Sequence, residues 1–181
     1  MLSLFAIAEL LNILHVVFIW YNKNMEKFRI ENIEIDQVAI VEKFAENIMW
    51  KSKREQLEAT REFLRKNLKN ALNPKGKVPD DIQKRIWDQD KTKTLSTVFN
   101  DKYGVCVEWH VVGQVVLNKV GMETVFKTGY VGGVGHTYLD VKIDKKWEIF
   151  DPFAEKFLED IGQKGSTFQD EYYKDSTSKN S

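Results

Sequence analysis

Apolar and polar residues alternate along this chain with a period that changes about half-way, after an opening stretch that hardly alternates at all. Leu2 to Tyr21 form an apolar run close to the roughly 20 residues needed to cross a bilayer. Lys23, Lys27 and Arg29 follow it, so the positive-inside tendency would leave the remainder of the chain cytoplasmic. Glu9, Asn12 and His15 share one helical face within the run, which fits an interfacial or partner-packed helix as well as a membrane anchor. A natural start at Met25 is a third reading.

Helical spacing then takes over. From Asp36, a candidate N-cap, Val38, Val41, Phe44, Ala45, Ile48 and Met49 predict a first helix. Ser52-Lys53-Arg54-Glu55 has the form of a capping box and predicts a second, with Leu57, Leu64, Leu68 and Leu72 on its inner face. The charged residues from Lys51 to Lys66 fit its solvated face. Asn73-Pro74-Lys75-Gly76 ends that helix, and Pro79 to Asp90 predicts a short one carrying Ile82, Ile86 and Trp87. Lys91 to Lys102 is polar around Leu95, Val98 and Phe99, enough for one or two further turns. Cys106 to Val120 predicts a longer helix with Trp109, Val112, Val116 and Val120 apolar, closed by Gly121.

After Gly121 the pattern becomes that of strands. Thr124 to Val131, Thr137 to Ile143 and Trp147 to Phe150 are rich in β-branched and aromatic residues and are separated by Gly-rich or Asp-Lys-Lys turns. Helices followed by a small antiparallel sheet predict an α+β fold. The expected layout is a hydrophobic segment over 1–24, one domain over 25–162, and a polar tail over 163–181, where Gln163 to Ser181 lacks the apolar residues a core needs.

Composition narrows the function classes. The 181 residues suffice for one domain with its own core. Lys and Arg together number 27, matching the 27 Asp and Glu, and this balance argues against nucleic acid as a partner, which demands a basic excess. The single cysteine, Cys106, cannot form an internal disulfide. Such a residue is commonly a small buried hydrophobe.

Its setting points elsewhere. Cys106 stands at the start of a predicted helix, where the positive end of the helix dipole favours a thiolate. His136 heads a predicted strand and Asp151 closes the next, so nucleophile, base and orienting carboxylate occur in the order a thiol triad requires. Adjacent strands allow His136 and Asp151 to meet as a cross-strand pair. Gly129, Gly132, Gly133 and Gly135 fit neither a phosphate loop nor a dinucleotide fingerprint and predict a tight turn beside the site. Cys106 and His110 share a helix face at metal-ligand spacing, but nothing else predicts a metal, and no cofactor is expected.

Gly-Val-Cys opening a helix, a Gly about fifteen positions later, Gly-Tyr-Val in a strand, Gly135-His136, and Trp147-x-x-x-Asp151-Pro152 together resemble the transglutaminase-like superfamily over residues 103–153. That resemblance implies a papain-like core with Cys106 as nucleophile, His136 as general acid/base and Asp151 as orienter. It implies acyl transfer or hydrolysis at amide bonds of a peptide or protein through a thioester. Trp109, Gly135 and Tyr138 are candidate substrate-binding residues, and Trp87 and Gln89 are conceivable second oxyanion donors. Cys106-Val107-Glu108-Trp109 also resembles the nucleophile segment of peptide N-glycanases, which implies an amidase alternative, although the paired zinc cysteines of those enzymes have no counterpart. A non-catalytic peptide-binding module on the same fold is the other alternative. His110 departs from the family's small residue four positions after the nucleophile and is expected as a partly buried or rim residue.

Overall fold

The computed structural model describes residues 33–73, 76–88, 93–131, 134–160 and 162, with the side chains of 129–131, 134 and 135 excepted. The proposed anchor over 2–21 and the polar tail over 163–181 lie outside these residues, and so does Gln89. Among the described residues, 33–128 and 137–160 belong to one compact unit, while 129–136 fall in a second. No helix among the described residues is long and apolar enough to cross a membrane.

The first half is helical, as its spacing predicts, with limits set by contacts distant in sequence. Helix α1 spans Ala39–Ile48 and follows the two-residue strand β1, Ile33–Glu34. Val38, which offers no side-chain acceptor, is its N-cap. Asp36, expected in that role, instead accepts a hydrogen bond from the Ser96 backbone N–H at 2.9 Å. The carboxylate is thus drawn to a partner 60 positions away, near the pairing of β1 with β3, Lys93–Thr94.

Helix α2, Lys53–Asn67, opens on the predicted capping box: Ser52 Oγ accepts from the Glu55 N–H, and the Glu55 carboxylate accepts from the Ser52 N–H at 2.9 Å. Its C-terminus corrects the expectation that Leu68 and Leu72 continue the inner face. Leu68 turns to an extended conformation. Lys69 N–H then donates to Lys102 O at 2.7 Å, and Ala71 N–H to Gly104 O at 3.0 Å. These bonds make Lys69–Asn70 a short strand, β2, parallel to β4, Tyr103–Gly104. Helices α3, Asp80–Trp87, and α4, Leu95–Asp101, lie between the two strands in sequence.

Helix α5, Cys106–Lys119, is the centre of the unit and packs against α1, α2 and α6, Pro152–Asp160. Cys106 to Gly113 and Val115 to Leu117 are all buried, so the apolar stripe expected from Trp109, Val112 and Val116 widens to the whole circumference, as befits a helix enclosed on every side. Gly113 permits the close approach. A Cβ there would lie 3.2 Å from Phe150 Cε1 and 3.4 Å from Leu64 Cδ1. The C-terminus is a Schellman motif: Gly121 has φ +78°, its N–H donates to Asn118 O, and the Met122 N–H donates to Leu117 O, both at 3.0 Å.

Strands β5, Thr124–Val131, β6, Val134–Ile143, and β7, Lys146–Phe150, form a sheet in that order. β6 and β7 pair antiparallel with Leu139 opposite Phe150 and Ile143 opposite Lys146. Asp144 and Lys145 both have positive φ, the signature of a two-residue type I′ turn. The chain is therefore α+β, with helices first and a small sheet after the central helix.

Candidate active site

Gly104 and Val105 deliver the chain to α5. A Cβ on Gly104 would lie 2.8 Å from Glu108 Cβ and 3.3 Å from Trp109 Cδ1, so only glycine lets β4 run this close to the first turn of the helix. Cys106 is the first residue of α5 and is buried.

Glu108 completes that first turn. Its Oε2 accepts from the Val105 N–H at 3.0 Å, and its Oε1 lies 2.8 Å from Lys93 Nζ, which also donates to Ile86 O. A carboxylate placed at the N-terminus of the helix that Cys106 opens satisfies the Val105 N–H and complements the dipole. Trp109 is fully buried, with its ring edge-on to Phe153 at 5.9 Å. Its indole N–H has no hydrogen-bond partner among the described residues.

Asp151 stands just before Pro152, the first residue of α6. Its Oδ1 accepts from the Ala154 N–H at 2.9 Å, so Asp151 is the N-cap of a helix that sequence reasoning missed. The signal was present as Asp-Pro, a capping residue followed by the residue best suited to the first helical position. Ion pairs then tie α6 to α2, Arg61 to Glu155 and Arg65 to Glu159 at 2.8 Å.

His110 is where the structure departs most from expectation. It is neither partly buried nor at a rim but fully buried. Its Nδ1 lies 2.6 Å from the Cys106 carbonyl oxygen, and its Nε2 lies 3.2 Å from Asp151 Oδ1, with the two side chains 0% and 1% exposed. The imidazole and the Phe126 ring stand nearly perpendicular, with centroids 6.4 Å apart. His110 thus lies between the Cys106 carbonyl and Asp151, two of the three residues expected in the triad.

The third, His136, is buried in β6 and belongs with residues 129–135 to the second compact unit. Gly135 lies in the same strand, and Tyr138 is half-buried three residues further on. Trp87 is the half-buried last residue of α3. Among the described residues no group of three or more His, Cys, Asp or Glu is arranged to hold a metal ion.

Residues 23–160 match the family described as transglutaminase-like domain. The chain belongs to that family. A search of curated protein sequences finds no match to it. The fold is similar to the crystal structure of a TGase, at 18% identity and a TM-score of 0.46 over 62% of this chain and 30% of that one. It is also similar to the structure of a candidate cysteine protease from Cytophaga hutchinsonii, at 14% identity and a TM-score of 0.42, over 68% and 41% of the respective chains. The chain thus spans less than half the length of either neighbour.

Proposed function

We propose that this transglutaminase-like domain is a cysteine-dependent acyl transferase or hydrolase acting on amide bonds of a peptide or protein. In this reading Cys106 is the nucleophile, His136 the general acid/base and Asp151 the orienting carboxylate. The observation that supports it is that Asp151, the N-cap of α6, lies 3.2 Å from His110 Nε2, one turn along the central helix that Cys106 opens. A cysteine with only a packing role needs no buried carboxylate beside its helix.

The chemistry follows from the side chains. The Cys106 thiolate attacks the amide carbon, forming a C–S bond and moving the carbonyl electron pair onto oxygen. The backbone N–H of Cys106, in the first turn of α5, is the donor this reading assigns to that oxyanion. Collapse breaks the C–N bond, and His136 supplies the proton that leaves with the amine or ammonia. Water gives up a proton to His136 and releases an acid, whereas an incoming amine gives a new amide; either restores the thiol.

The N-glycanase-like amidase is the alternative; Glu108 and Trp109, which carry that likeness, make packing and capping contacts beside Cys106. The test is a side-by-side assay of ammonia release, amine incorporation into a glutamine-bearing protein, and peptide cleavage. Turnover in one of the three, abolished by Cys106→Ala, is expected. Peptide binding that survives Cys106→Ala, with no turnover in any assay, would establish the non-catalytic module instead.

A further inference from the structure

We infer that Asn70 is a catalytic residue whose side-chain amide donates the second hydrogen bond to the oxyanion formed when Cys106 attacks a carbonyl carbon. The inference rests on the reading of Cys106 as nucleophile and supplies the side-chain partner of the Cys106 N–H.

Strand register sets where Asn70 projects. β2 and β4 pair in parallel with Lys69 opposite Tyr103 and Asn70 opposite Gly104, and successive residues of a strand point to opposite faces. Lys69 and Tyr103 share one face, where the Lys69 ammonium lies 5.3 Å from the centre of the Tyr103 ring. Asn70 and Gly104 therefore share the other. A Cβ on Gly104 would lie 2.8 Å from Glu108 Cβ and 3.3 Å from Trp109 Cδ1, so that face is turned toward the first turn of α5. Asn70 is the side chain that β2 presents there, beside a glycine two residues ahead of Cys106.

The amide is fixed in place with one end unused. Asn70 is 4% exposed. Its Oδ1 accepts from the Leu72 N–H at 2.8 Å, and this assigns oxygen and nitrogen, because a backbone N–H requires an acceptor. Nδ2 is then a buried donor with no hydrogen-bond partner among the described residues. Trp109 Nε1, next to the Cδ1 atom that bounds the same face, has none either. Buried donors are nearly always paired, so two of them on one face mark a place for an oxygen that the described residues do not supply. The acyl oxygen of a substrate meets that need, and it becomes an anion once its carbon is bonded to Cys106 Sγ. The Leu72 contact holds the amide before that charge develops, as preorganised stabilisation demands.

Two reactions of one thiol separate this role from a structural one. Acylation by p-nitrophenyl acetate forms a C–S bond at a carbonyl carbon, passes through an oxyanion and expels p-nitrophenolate. Alkylation by iodoacetamide displaces iodide from a methylene carbon, where no oxyanion forms. Both rates are read at their high-pH plateau, with the thiol ionised, after subtracting the reaction that survives Cys106→Ala. Asn70→Asp keeps an acceptor for the Leu72 N–H and removes the donor, whereas Asn70→Ala removes both. Acylation is expected to fall about 100-fold in both variants, the scale set by one oxyanion donor, while alkylation stays within about 2-fold of wild type. Acylation at the wild-type rate in Asn70→Asp overturns the inference and leaves Nδ2 to a buried water. A parallel fall of both reactions in Asn70→Asp also overturns it, because a distorted site slows every reaction of the thiol. If Cys106→Ala releases p-nitrophenolate as fast as wild type, the nucleophile reading itself fails and the role of Asn70 with it.

Discussion

Replacing Glu108 by alanine strips two partners at once. The Val105 N–H loses an acceptor at 3.0 Å, and the Lys93 ammonium loses a carboxylate at 2.8 Å. The Glu108 side chain is 3% exposed and that of Lys93 is 15% exposed, so water does little to replace either contact. Removing one member of a buried pair costs about 3–5 kcal/mol. Lys93 keeps its bond to Ile86 O, which places the expected loss near the lower end, about 3 kcal/mol. Glu108→Gln, which retains an acceptor for Val105 but not the charge, is expected to lose about half of that. At roughly 2–4 °C per kcal/mol for a chain of this size, Glu108→Ala should melt about 6–12 °C below wild type. Urea unfolding of Glu108→Ala, Lys93→Met and the double variant closes a thermodynamic cycle, and the double variant is expected to lose less than the sum of the singles by about 1–2 kcal/mol. A Glu108→Ala protein within about 1 kcal/mol of wild type, or a strictly additive cycle, would refute the capping role.

Three further outcomes follow from local geometry. Gly113→Ala gains helix propensity but drives a methyl against Phe150 and Leu64, both fully buried; a net loss of about 1 kcal/mol is expected by urea unfolding, and an increase in stability would show that α5 and the sheet can separate. Gly121→Ala meets no neighbour within 4 Å but must hold φ +78°, so a loss of about 1 kcal/mol should appear, and an unchanged midpoint would deny the Schellman cap its role. The Asp36 carboxyl is held below its ordinary value of 3.8 by hydrogen bonds from the Ser96 side chain and backbone. Its contribution is therefore present above pH 3.8 and is lost as pH falls through the lower folded value. Between pH 5 and pH 3 the urea midpoint of Asp36→Ala should fall less than that of wild type, and an equal fall would contradict the assignment.

The features legible in the sequence are those set by neighbouring residues. The Ser52–Glu55 capping box and the Gly121 terminus are local motifs, and the structure reproduces both. The strand pattern after Gly121 is likewise local, because β-branched and aromatic runs bounded by turn residues are read from neighbouring positions. What escaped reading depends on partners far along the chain. Leu68 leaves the helix because Lys69 and Ala71 find carbonyls at Lys102 and Gly104, and Asp36 abandons its capping position for Ser96. His110 illustrates the same point at the site. Its spacing from Cys106 was visible, yet whether it faced solvent, a metal or a carboxylate depended on where Asp151 came to rest 41 residues later. Asp151 itself carried two signals, a triad position and an Asp-Pro helix start, and the second was overlooked because the first explained the residue.

The most direct test of the proposed chemistry is the rate of Cys106 alkylation by iodoacetamide as a function of pH, in wild type and in His136→Ala. The expected wild-type profile rises well below the value of about 8.5 that marks an ordinary thiol, and His136→Ala moves it back toward that value. A wild-type profile centred on the ordinary value, and unchanged by the loss of His136, would contradict the assignment of Cys106 as an activated nucleophile.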